Sequence, residues 1–208
     1  MTDRPILFSL PMVRAILADR KTQTRRLLKN PEYYGCPTGD CPHDTNAECI
    51  AAMNANVERR YCEVGDRLWV REAWAKVPAS AYRMSEGVQQ TVCPDDPYYA
   101  AIYAAGWERC APKWKPSIHM PRWASRITLE VTDVRIERLR EITESDALAE
   151  GAFDPSIGEI AWAEPMGLAR HICPAVNAFA ALWADIHGWA SWRENPWVCA
   201  ISFERVTS

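Results

Sequence analysis

Ile16-Leu17-Ala18-Asp19-Arg20-Lys21-Thr22-Gln23-Thr24-Arg25-Arg26 is the stretch on which the reading of the chain turns. Just upstream, Ser9 stands where a helix cap belongs and Pro11 in the first turn, where its missing N–H is harmless. Met12, Val13, Ile16 and Leu17 share one apolar face at helical spacing, so a helix is expected from Pro11 to Asp19. Lys21 to Arg26 alternates in the manner of a strand leaving that helix. The same logic places strands at Ile6-Leu7-Phe8, at Arg67–Glu72 behind a Gly65-Asp66 turn, and at Trp197–Phe203. The clearest strand is Arg126–Arg138, where Ile127, Leu129 and Val131 alternate with Thr128, Glu130 and Thr132.

Thr143-Glu144-Ser145-Asp146 reads as the capped start of a short helix, with Gly151 placed to end it. Asn177 to His187 reads as a helix that buries Phe179, Leu182, Trp183 and Ile186. Stretches at about 30–63, 76–122 and 152–172 lack sustained periodicity, save for a short strand within Tyr98–Trp107, and read as irregular insertions. The order of elements predicts one α+β domain over residues 1–208, a small mixed β-barrel with flanking helices and long loop insertions.

Composition narrows the class. The chain has 208 residues, 48% hydrophobic and 25% charged, with net charge −3, which argues against a disordered or fibrous protein. No apolar run approaches the roughly 18 residues of a membrane span. Met1-Thr2-Asp3-Arg4-Pro5 has no long apolar segment behind it, so the expectation is a cytoplasmic protein without membrane partners, its eight cysteines reduced. Ten tryptophans exceed what such a core needs, which sets some aside for a groove or pocket.

Charge is unevenly spread. Residues 1–30 hold seven basic side chains (Arg4, Arg14, Arg20, Lys21, Arg25, Arg26, Lys29) against Asp3 and Asp19, although the whole chain has 24 basic and 27 acidic residues. A second basic stretch, Pro112–Arg126, carries Lys113, Lys115, Arg122 and Arg126 without an acid, interleaved with Trp114 and Trp123. Cations beside aromatics suit a phosphate-bearing ligand with a stackable base, and two solvated basic edges are the plainer alternative. His119, Arg122 and Trp123 lie between Pro116 and the strand, in a segment that Pro116 and Pro121 hold extended. Trp69 and Trp74 either stack on a base or fill the core. Cys36, Cys41, His43 and Cys49, with Cys62 beyond them, either build a structural zinc site or are ordinary loop thiols, and no other cofactor is required. No Gly-x4-Gly-Lys-Thr loop is present, which argues against a nucleotide-driven motor.

Residues 16–26, with their helix, turn and Lys-Thr-x-Thr strand, resemble the signature of the ASCH domain, a PUA-like fold. Gly65-Asp66-Arg67-Leu68-Trp69-Val70-Arg71-Glu72 is similar to the family's next strand. Pro116–Ile127, PSIHMPRWASRI, resembles a prophage-encoded group within it. The usual turn has Gly where this chain has Asp19. The resemblance covers about half the chain, in pieces, and implies a small barrel with a cleft for a nucleobase or nucleotide. Known members include RNA-binding modules, a nuclease and an acetylcytidine amidohydrolase. Carried over by motif, Lys21 matches the amidohydrolase's proton acceptor and Thr24 its nucleophile, and Glu150 falls at the place of its proton donor, with Glu144 as rival.

The chemistry is coherent, since an amide on a base needs a nucleophile, a proton acceptor and a donor. It also meets an obstacle, because Lys21 and Thr24 on a regular strand point to opposite faces. The expectation is therefore a basic cleft of an ASCH domain that binds RNA or a modified nucleoside or nucleotide. Arg20, Arg25, Arg26, Trp69, Arg71, Glu72, His119, Arg122, Trp123 and Arg126 are its candidate contacts. Hydrolysis of an acyl-modified cytidine by Lys21, Thr24 and Glu150 stays open beside it, as do RNA cleavage, a non-enzymatic reader and a phage interaction protein.

Overall fold

A computed structural model describes residues 2–28, 62–83, 85, 87–107, 112–151 and 174–206. Within the span read as one domain, the chain divides into two compact units. The first comprises Met1–Asp19, Asp66–Glu130 and Arg205–Ser208, and the second comprises Arg20–Gly65 and Val131–Glu204.

In the first unit, β1 (Asp3–Leu7) runs parallel to β3 (Arg67–Arg71), with Asp3 opposite Arg67, Pro5 opposite Trp69 and Leu7 opposite Arg71. β3 pairs antiparallel with the first residues of β7 (Thr128–Arg138), with Leu68 opposite Leu129 and Trp69 opposite Thr128. Side chains alternate across this ladder. Ile6, Leu68, Val70 and Leu129 are buried on one face, and Asp3, Pro5, Arg67, Trp69 and Thr128 occupy the other. Pro5 lacks an N–H, which an outer strand tolerates.

The helix α1 (Leu10–Leu17) starts with proline in its first turn and buries Val13 and Ile16 of the expected face, together with Ala15, while Met12 and Leu17 are half-buried. It ends in a turn where Asp19 adopts φ +55, the left-handed conformation for which glycine is the usual choice. The Asp19 carboxylate lies 3.0 Å from Arg205 Nη2.

The first unit also carries a second sheet, ordered β4-β6-β5, from β4 (Trp74–Pro78), β5 (Thr91–Val92) and β6 (Tyr99–Tyr103). It lies largely within the stretch that reads as irregular from sequence. Ala100, Ala101, Ile102 and Tyr103 are all buried, so the strand has no polar face to show alternation. Short 3-10 turns follow Pro116 and Pro121, at Ser117–His119 and Arg122–Ala124. Met120 and Ala124, from and beside these turns, join Trp74, Ala101 and Tyr103 in one core cluster.

In the second unit, β2 (Gln23–Leu27) pairs antiparallel with β8 (Trp197–Arg205), with Thr24 opposite Ile201, and β8 neighbours β7. Thr143 caps α2 (Glu144–Ala149) by accepting from the Asp146 amide at 3.1 Å, and Gly151 follows at φ +69. Gly188, at φ +83, separates α3 (Pro174–His187) from α4 (Trp189–Glu194). Phe179, Trp183, Leu139, Ala147 and Val198 form this unit's core.

The fold is α+β, as expected. The barrel expectation is corrected: the strands lie in two sheets, ordered β1-β3-β7-β8-β2 and β4-β6-β5, and no closed barrel forms among the described residues. β1 and β2 end the longer order, unpaired with each other. No helix among the described residues is long and apolar enough to cross a membrane.

Candidate functional site

The second unit buries a charge cluster around Lys21. β2 begins only at Gln23, so Lys21 precedes the strand and escapes its alternation. The Thr22 amide donates to Ala149 O at 2.8 Å, which fastens this segment to the end of α2. The Lys21 ammonium, fully buried, donates to Gln23 O at 2.7 Å, to Glu150 Oε2 at 2.7 Å and to Glu150 O at 2.9 Å. An ammonium has three donors, and all three are taken.

Arg25 extends the cluster. It donates to Glu137 Oε1 (2.8 Å from Nε), Gln23 Oε1 (2.6 Å) and Glu150 Oε1 (3.2 Å), and its Nη2 lies 3.4 Å from Asp146 Oδ2. Arg135 bridges the same two outer carboxylates, reaching Glu137 at 3.0 Å and Asp146 at 2.5 Å.

Lys21 and Glu150 are thus brought together, at 2.7 Å. Gln23 and Arg25 share one face of β2, and alternation turns the buried Thr24 to the other. Glu144, the rival acid, accepts instead from the Ala175 and Val176 amides at 2.9 and 3.3 Å. Burial lowers the Lys21 pKa, against the upward pull of Glu150. Burial likewise lowers that of Arg26, again opposed by Glu150. Gln23, Arg135, Glu137 and Asp146 were not legible as site residues, because strand and cap residues of these types are ordinary in sequence.

For Asp146, burial raises the pKa, and hydrogen bonds from Thr143 and Arg135 outweigh it, bringing the carboxyl to about 2. A depressed folded value means the unfolded chain binds the proton first, so this contribution is complete above 3.8 and is lost as pH falls through about 2. Asp146→Asn is expected to flatten the acid limb of the melting temperature across that window. An unchanged acid limb would refute the assignment.

The first unit presents a different constellation. Trp69 is partly exposed on β3, between β1 and β7. The Arg71 guanidinium lies 5.5 Å and that of Arg122 5.7 Å from its ring centroid. Arg71 donates to Ile118 O, and Arg122 pairs with Asp3 at 3.1 Å, both partners being half exposed. His119 and Ile118 are exposed in the adjoining 3-10 turn.

Four candidate contacts, Trp123, Arg126, Glu72 and Arg25, turn inward instead. Trp123 packs edge-on against Trp74 at 6.0 Å. Arg126 clamps Glu72 with both arms, Nε–Oε1 at 2.8 Å and Nη2–Oε2 at 3.0 Å, and stacks 4.0 Å from the Tyr103 centroid. Arg25 is buried among carboxylates, as described, and Arg20 is half-buried. Burial raises the Glu72 pKa, with Arg126 opposing.

Cys36, Cys41, His43 and Cys49 lie outside the described residues. Among the described ones, no group of three or more His, Cys, Asp or Glu side chains is placed to hold a metal ion. Cys62, Cys93 and Cys199 are buried free thiols, and burial, with Cys62 and Glu137 adding to it, pushes Cys199 up to about 12. No protein-family model, curated protein or solved structure matches the chain.

Proposed function

We propose that the chain binds single-stranded nucleic acid or a modified nucleotide through the face that carries Trp69. The observation behind this reading is a partly exposed indole on an inner strand, with two guanidiniums at its ring. A base stacked on such an aromatic is worth about 1–3 kcal/mol, and neighbouring arginines supply phosphate contacts. The ASCH-like motifs support the same ligand class. The hydrolase reading of Lys21, Thr24 and Glu150 rests on the motif. The three filled donors of Lys21 and its full burial favour a scaffolding role for the pair.

The test is fluorescence anisotropy with a labelled oligouridylate at two salt concentrations. Trp69→Ala is expected to weaken binding about tenfold, as one lost stack implies. Arg122→Glu is expected to weaken it and to flatten its salt dependence, since fewer counterions are released. Binding that ignores both substitutions would overturn the proposal. Turnover of acetylcytidine abolished by Lys21→Ala would put the hydrolase in its place.

A further inference from the structure

Arg122 does not stand free beside Trp69. Its Nη2 lies 3.1 Å from Asp3 Oδ2, and the same guanidinium lies 5.7 Å from the Trp69 ring centroid. Asp3 opens β1, and Arg122 opens the second 3-10 turn, 119 residues later. Asp3 sits opposite Arg67 and Pro5 opposite Trp69, so Asp3 shares the Trp69 face of the ladder. Arg67 is opposite Glu130 of β7 on its other side, and both are exposed. The ladder thus brings two carboxylates to this face, and Asp3 is the one that pairs with Arg122. A carboxylate and a phosphate offer a guanidinium the same kind of anionic oxygen. A phosphate that takes Nη2 of Arg122 must therefore displace Asp3. The Arg122 and Asp3 side chains are 47% and 51% exposed, and a pair so exposed is weak enough to be displaced.

We infer that Asp3 is a built-in rival for phosphate at Arg122, an autoinhibitory contact that holds the Trp69 face below its full affinity for a nucleic-acid strand. The inference rests on the nucleic-acid reading of that face. In the free protein the Asp3 carboxylate neutralises Arg122. When a strand binds, a backbone phosphate takes its place and Asp3 turns to solvent.

Fluorescence anisotropy with labelled oligouridylate and the full chain tests it. Asp3→Asn keeps the size of the side chain and removes its charge. It is expected to tighten binding about threefold, the effect of a half-exposed pair that no longer competes. It is also expected to steepen the salt slope by about 0.7, since one more cation is open to phosphate. Glu130→Gln removes the same charge from the same face without touching Arg122, and is expected to change affinity less than Asp3→Asn does. In an Arg122→Gln background, Asp3→Asn is expected to gain almost nothing, because the group it would free is gone. Unchanged or weaker binding by Asp3→Asn would overturn the inference. So would an equal gain in both backgrounds, which would reduce Asp3 to general charge repulsion. Trp69→Ala separates this inference from the reading beneath it. Weakened binding there beside an indifferent Asp3→Asn keeps the nucleic-acid face and removes the autoinhibition. An Arg122-dependent gain beside an indifferent Trp69→Ala keeps the Asp3 contact and removes the stack. If neither the wild type nor Asp3→Asn binds, both fall.

Discussion

Glu150→Ala is expected to cost about 3–5 kcal/mol of folding stability, the usual penalty for removing one partner of a buried ion pair. Glu150 supplies Oε2 to Lys21 and Oε1 to Arg25, and its loss leaves two buried cations with one carboxylate fewer between them. Lys21 also feels the like charges of Arg25 and Arg26. Its folded pKa, already below 10.5, would fall further without Glu150. A depressed lysine means the unfolded chain holds the proton more tightly, so stability rises with pH between the folded value and 10.5, over a wider range in the variant. Urea denaturation across that range measures both effects. Lys21→Met combined with Glu150→Leu is expected to recover much of the loss, because apolar side chains of similar volume need no partner. A Glu150→Ala loss below about 1 kcal/mol would mean that the cluster is no better than a surface ion pair.

Arg126→Met is expected to be comparably severe in the first unit, about 3–5 kcal/mol, for the mirror-image reason. Glu72 would keep its burial and lose both arms of its partner. Its carboxyl already sits above 4.5 because burial outweighs Arg126, and removing the arginine frees it to rise further. A raised carboxyl takes up a proton on folding, so the variant's stability should fall as pH increases above 4.5 and recover in acid. Denaturation midpoints at acid and neutral pH would show this directly. A pH-independent loss would trace the damage to Tyr103 packing instead. Adding Glu72→Leu to Arg126→Met is expected to abolish the pH dependence.

Periodic segments were legible in the sequence and the charge clusters were not. The spacing of Val13 and Ile16 marks α1, the alternation of Leu129 and Val131 marks β7, and Thr143 with Gly151 brackets α2. These are local signals, set within one or two turns of chain. β6 falls within the short strand expected in Tyr98–Trp107, whereas β4 escaped because Trp74, Ala75 and Val77 are buried without strict alternation, and α4 because Trp189–Glu194 is too short to establish a period. Lys21 was visible through its motif, and its partner Glu150 through the cap signal of α2. The contact between them spans 129 residues of sequence, and that between Arg25 and Glu137 spans 112. Nothing local distinguishes an arginine bound for a buried carboxylate from one bound for phosphate. For that reason Arg25 and Arg126 read as ligand contacts and fold as internal ones.

The interleaved composition of the two units bears on how the protein is made. The first unit begins at the N-terminus, leaves the chain at Asp19, resumes at Asp66, and closes with Arg205–Ser208. Arg205 answers Asp19, and the Val206 amide donates to Thr128 O at 2.9 Å. A ribosome therefore releases α1 and β3 long before it releases the segment that completes their unit. The second unit waits in the same way for β8 to reach β2. Vectorial synthesis favours domains that finish one after another from the N-terminus. Here the nascent chain must hold two half-built cores open together, and no single cut yields either one intact.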